Sequence, residues 1–124
     1  MSSRPPCVLI ADGAPASRAL LEPSLRRAGW DVITVTSSFG VLRAVRDHDV
    51  GVILIDPELP GVGVSGVDVV RTLKSAPRFG YLALSPHEAG QLLRKIAGQR
   101  KTAPPHMCVC RLYSCWEQYA MSRG

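Results

Sequence analysis

Val50-Gly51-Val52-Ile53-Leu54-Ile55-Asp56-Pro57-Glu58-Leu59-Pro60-Gly61 is the stretch on which the fold turns. From Val50 to Ile55 the run is apolar with no polar alternation, and it ends abruptly at an acid. A strand with one wet face alternates, whereas an unbroken apolar run is covered on both sides, as in a parallel sheet between helices. The prolines and glycine after Asp56 mark a loop.

Upstream, Cys7-Val8-Leu9-Ile10-Ala11 repeats this pattern and stops at Asp12-Gly13-Ala14-Pro15, a turn leading into a helix. From Ala16 to Ala28, Leu20, Leu21, Leu25 and Ala28 recur at helical spacing. Pro23 is expected to kink that helix at a cost of up to ~3 kcal/mol, and Gly29 to end it. Trp30–Val35 reads as a β-branched strand, and Phe39–Asp47 as a short helix with Val41, Leu42 and Val45 inward. Downstream, Gly66–Ser75 is a helix, Tyr81–Leu84 a strand ending at Ser85-Pro86, and Glu88–Ala97 a further helix. Alternating strands and helices imply an α/β fold built from βαβ units. The leading topology is a flavodoxin-like open parallel sheet in the order 2-1-3-4-5, with helices on both faces.

After Gln99 the pattern fails. Arg100–His106 is polar and proline-bearing, so residues 99–124 form an atypical C-terminal segment beside a domain over 7–98. Two readings stay open there: a fifth strand within Met107–Tyr113 followed by a short helix in Cys115–Gly124, or an irregular tail.

At 124 residues the chain has the size of one domain, and 46% hydrophobic content excludes a disordered chain. No apolar run approaches the ~20 residues of a membrane span. The first residues lack the long apolar core of a signal peptide, so a cytoplasmic protein without membrane contact is expected. The net charge of +5 comes from scattered Lys and Arg, which read as solvated faces and not as a nucleic-acid surface. With four cysteines and no export signal, reduced thiols are expected. His106-x-Cys108-x-Cys110-x4-Cys115 has a C-x-C too tight for the usual zinc knuckle, so unpaired thiols are preferred there. His48 and His87 have no partner that completes a catalytic set, and no phosphate-binding glycine motif occurs.

The chemistry gathers at strand ends. In the expected order, the strands ending in Asp12 and Asp56 flank the point where strand order reverses, which is where open α/β sheets bind ligands. Ser85 ends the neighbouring strand. Two carboxylates with a backbone carbonyl suit Mg²⁺, and a metal-neutralised Asp can attack phosphorus to give an aspartyl phosphate. Ser85 would then donate a hydrogen bond to a phosphoryl oxygen. Strand-terminal Asp also serves as a simple turn former; the pair together with Ser85 favours function.

These segments resemble the receiver domain of bacterial two-component response regulators. Val8–Pro15 looks like the family's first strand and acidic turn, and Ala28-Gly29-Trp30-Asp31-Val32 like the entry to its second strand. Val52–Gly61 looks like the segment around the phosphoacceptor, and the likeness runs from Cys7 to about Ala97. The resemblance implies that a histidine kinase or phosphotransfer protein phosphorylates Asp56 and that an unknown downstream protein reads the signal. Asp12, Asp56 and the backbone carbonyl of Glu58 would hold Mg²⁺, and Ser85 falls at the switch position. Gly13 stands where the family has a second acid, which predicts weak Mg²⁺ binding. The loop before Gly66 is longer by about two residues than the family's usual loop. Neither Lys101 nor Arg111 matches the family's switch lysine.

Two other functions fit the same residues. One is a phosphorylation-independent pseudo-receiver that acts by interaction alone. The other is a small Mg²⁺-dependent phosphotransfer or hydrolase enzyme using Asp12 and Asp56, weakened by the lack of an acid–base partner. A non-enzymatic signalling module is the expectation.

Overall fold

A computed structural model describes residues 7–13, 15–48, 50–59, 66–75, 82–95, 106–109 and 112–121. Its elements are β1 (Cys7–Ala11), α1 (Pro15–Arg27), β2 (Asp31–Val35), α2 (Ser38–Asp47), β3 (Val52–Ile55), α3 (Gly66–Ser75), β4 (Leu82–Leu84), α4 (Pro86–Lys95), β5 (His106–Val109) and α5 (Leu112–Met121). Every residue of β1 and β3 is buried, as their unbroken apolar sequences require. Ile53, Leu54 and Ile55 are fully enclosed, each contributing roughly 1.5–3 kcal/mol of burial free energy.

The strands form one parallel sheet, and the helices cover both faces. Val8, Ile10, Val52, Leu54 and Cys108 point to one face, where Leu21 and Leu25 of α1, Leu93 of α4 and Tyr119 of α5 meet them. Leu9, Ala11, Ile53, Ile55 and Met107 point to the other, under Val41 and Val45 of α2 and Val69 and Leu73 of α3. Local signals set the element ends. Gly29 takes the left-handed conformation (φ 99°) that closes α1. Ser37 caps α2, its hydroxyl accepting from the Gly40 N–H at 3.2 Å. Pro23 lies inside α1 on its exposed side.

The sheet departs from expectation on one side. The order is β2-β1-β3-β5-β4, so the last two strands are exchanged relative to 2-1-3-4-5. The C-terminal segment therefore contributes an interior strand and a ten-residue helix. Right-handed crossovers explain the helix layers. In the expected order α4 would join α2 and α3; a chain that returns from β4 to β5 carries α4 to the opposite face, beside α1. The exchange suits the two strands. Met107 and Cys108 face opposite sides of the sheet and are both buried. The three-residue β4, with Ala83 exposed, is short enough for an edge.

The α4–α5 contact holds this arrangement. A Cβ on Gly90 would come within 2.8 Å of the Gln118 carbonyl carbon and the Tyr119 nitrogen, so only glycine permits the approach. Arg94 stacks 4.2 Å over the Tyr119 ring and donates to its carbonyl oxygen at 2.7 Å. The Trp30 indole N–H donates to the Leu93 carbonyl at 3.1 Å, tying the start of β2 to α4.

Candidate functional site

The site is built where β1 and β3 end. Ala11 pairs with Ile55, so Asp12 and Asp56 leave the sheet level with each other on adjacent strands, about 4.8 Å apart in backbone spacing. The Asp56 N–H donates to the Ala11 carbonyl at 3.0 Å, and the Asp12 N–H to the Val35 carbonyl at 3.1 Å. The rigid sheet therefore fixes both acids.

Their surroundings differ. Asp12 is 2% exposed, a carboxylate drawn into the end of the sheet. Asp56 is half-buried, and its Oδ1 accepts the Glu58 N–H at 2.8 Å. The Leu59 N–H donates to the Asp56 carbonyl at 3.1 Å, and the buried Leu59 side chain anchors the turn. Asp56 thus acts as acceptor for its own loop while one face stays open to solvent. Gly13 is exposed and adds no carboxylate.

Ser85 does not join them. Leu84 and Leu54 both pair with Cys108, which places β5 between the strands that end at Ser85 and Asp56. Two strand spacings, about 10 Å, separate those ends. The Ser85 hydroxyl instead accepts the Glu88 N–H at 3.2 Å, and Glu88 Oε1 accepts the Ser85 N–H at 3.0 Å. This is a reciprocal capping box at the start of α4. Hydrogen bonds from the Ser85 N–H and hydroxyl hold the Glu88 carboxyl below its usual range. The sequence carried the signal, since Ser85-Pro86-His87-Glu88 has S-x-x-E spacing at a helix start. In this structure the Ser85 hydroxyl serves as a helix cap.

Beside Asp56 on its other flank stands Val109, level with Ile55 and 38% exposed. Lys101, Arg111 and the loop before Gly66 lie outside the described residues. In the cysteine-rich segment, His106 and Cys108 occupy alternate positions of β5, and the side chains of Cys110 and Cys115 are outside the described set. Burial, and then the Glu88 charge, push the Cys108 thiol up to about 11. Among the described residues no three His, Cys, Asp or Glu side chains gather around one point. None of the described helices is long and apolar enough to cross a membrane.

Residues 8–100 match the family model for the response regulator receiver domain. The chain belongs to that family. Receiver domains are signalling modules of two-component phosphorelays. Over 67 residues, 54% of the chain, this receiver is 36% identical to the transcriptional regulatory protein KdpE of Mycobacterium tuberculosis, covering 29% of KdpE. The chain spans between 8% and 29% of the length of the curated relatives it matches. Among solved structures, a response regulator receiver protein from Pseudomonas putida aligns with a TM-score of 0.60 at 15% identity, covering 98% of this chain and 100% of that one. The response regulator TrrA of Thermotoga maritima, solved in complex with Mg²⁺-BeF, aligns with a TM-score of 0.56 at 20% identity over 86% of both chains. TrrA has also been solved in complex with the histidine kinase ThkA. These likenesses establish the fold.

Proposed function

We propose that this chain is a phosphoacceptor module of a cytoplasmic two-component phosphorelay. A histidine kinase or phosphotransfer protein phosphorylates Asp56, and a downstream protein reads the result. The observation that carries this reading is the pair Asp12 and Asp56, level on adjacent strands at the point where strand order reverses. The TrrA complexes with Mg²⁺-BeF and with a histidine kinase support it by family likeness.

The donor set fits Mg²⁺. The carboxylates of Asp12 and Asp56 and the backbone carbonyl of Glu58 are hard oxygen donors, the type this ion takes. When bound, Mg²⁺ offsets the negative charge that two carboxylates and a phosphoryl group bring together. Two carboxylates without a third make that binding weak. In the transfer, an Asp56 carboxylate oxygen forms a bond to phosphorus as the P–N bond of phosphohistidine breaks. The imidazole nitrogen leaves with the bonding pair and takes a proton from water. The Glu58 N–H on Oδ1 orients the carboxylate for this attack.

A second reading, the phosphorylation-independent pseudo-receiver, draws support from Gly13 and from the capping role of Ser85. Incubation with a small phosphodonor and Mg²⁺, followed by intact-mass measurement, separates the two. A single phosphoryl adduct that disappears in Asp56→Asn supports the acceptor. An unchanged mass over the range of donor and Mg²⁺ concentrations supports the pseudo-receiver. Steady consumption of donor without an adduct indicates a hydrolase.

A further inference from the structure

An open sheet ends in two edge strands, and the outward N–H and C=O groups of an edge are a template for another chain. Here the edge strands are β2 and β4. The three residues of β4 offer little to pair with. β2 is longer, and Val32-Ile33-Thr34-Val35 is an unbroken β-branched run, a composition that favours strand pairing.

The hydrogen bonds fix which way the β2 backbone points. The Val35 carbonyl accepts the Asp12 N–H at 3.1 Å, so Val35 turns its polar groups towards β1. Along a strand of a parallel sheet, successive residues turn their N–H and C=O to opposite sides. Ile33 therefore faces β1 as well, while Val32 and Thr34 face the edge. The Val32 carbonyl is occupied there. Arg26, in the last turn of α1, donates to it from Nη2 at 3.0 Å. The same guanidinium donates from Nε to Glu22 Oε2, one helical turn back, also at 3.0 Å. Glu22 thus holds the planar fork of Arg26 in place while it reaches the edge.

A strand that added here from a second copy would do so about a two-fold axis, with the same edge on both sides. Centred on Ile33, Val32 lies opposite Thr34 of the second copy, and the reverse. Each Val32 carbonyl would then accept the Thr34 N–H of the other copy, so half of the new bonds end on the atom that Arg26 covers. We infer that Arg26 is a guard on the β2 edge, occupying the carbonyl through which a second copy of this chain would add its own β2. The inference is independent of any chemistry at Asp56.

The test is sedimentation velocity on the full chain over a wide concentration range, combined with amide hydrogen exchange. Arg26→Ala should show a concentration-dependent doubling of mass, with the Thr34 amide slowed on the order of tenfold in the associated form. The wild-type chain should show no slowing of that amide with concentration. Thr34→Pro removes only an outward N–H, which an edge strand tolerates, and in the Arg26→Ala background it should restore the monomer. If Arg26→Ala does not fold, Glu22→Gln loosens the guanidinium and is read in the same way, with weaker association. A folded Arg26→Ala chain that stays monomeric overturns the inference, as does an association that Thr34→Pro leaves intact. A wild-type Thr34 amide that slows with concentration as much as in Arg26→Ala also overturns it, because the edge would then be unguarded.

Discussion

At the scale of single residues, Gly13 and Cys108 show how a side chain sets what its position can do. Gly13 is exposed, and among the described glycines only Gly29 has positive φ, so a side chain at 13 meets no left-handed strain. Gly13→Asp places a third carboxylate beside Asp12 and Asp56 and should tighten Mg²⁺ binding on the order of tenfold, about 1.4 kcal/mol. Isothermal calorimetry reads this directly. An affinity that neither Gly13→Asp nor Asp56→Asn alters would mean the two acids are turn formers. Cys108 illustrates burial acting on a thiol. Its native value of about 11 exceeds the ordinary 9.0, so between those values the unfolded thiol loses its proton while the native one keeps it. The unfolded state then binds fewer protons, and stability falls as pH rises through that window. Denaturation midpoints from pH 8 to 11 should decline, and Cys108→Ala should flatten the decline. Asp12 and Asp56 were legible in the sequence because each interrupts an apolar run, and the sheet register then brings them level.

At the scale of elements, the helix cap carries the clearest pH signature. Glu88 is held below its ordinary 4.5, by the Ser85 N–H first and its hydroxyl second. A depressed carboxyl contributes stability that is present above its unfolded value and is lost as pH falls through the native one. Glu88→Gln should therefore remove part of the acid-induced loss of α4, seen as a smaller change in helical signal between pH 6 and 3. Ser85→Ala should cost about 1 kcal/mol in a denaturant titration at neutral pH. The same element shows one position that carries two signals. Ser85 reads as a site residue because it ends a strand, and ending a strand and starting a helix are the same position here. The S-x-x-E spacing favours the cap, and the reciprocal Ser85–Glu88 bonds form it. β1 and β3 were legible because each is a short unbroken apolar run bounded by turn residues, as burial on both faces of a sheet requires. β5 was hard to see because His106–Val109 is short and follows a polar segment.

At the scale of the whole molecule, the exchange of β4 and β5 is set by contacts that no periodicity displays. Apolar runs say which residues are strands, and right-handed connections say which face each helix takes once the order is known. Neither says whether the chain returns past β4. The contacts that hold the return are Gly90 against Gln118–Tyr119 and Arg94 on Tyr119, pairs separated by 25 or more residues. Gly90→Ala puts a methyl group 2.8 Å from two backbone atoms, which a rotamer change cannot relieve, so α4 and α5 must move apart. Overpacking of this kind costs about 1–3 kcal/mol. Gly51→Ala is the matched control, because its Cβ would meet only the Cys7 carbonyl oxygen at 3.8 Å, an ordinary contact. In denaturant titrations Gly90→Ala should unfold at clearly lower concentration, with Gly51→Ala close to wild type. Amide exchange should rise in α4, α5 and β4 while β1 and β3 keep their protection, because those strands are covered on one face by α2 and α3. A Gly90→Ala protein as stable as wild type would mean that α4 and α5 do not cross at this point, and the interior position of β5 would lose its explanation.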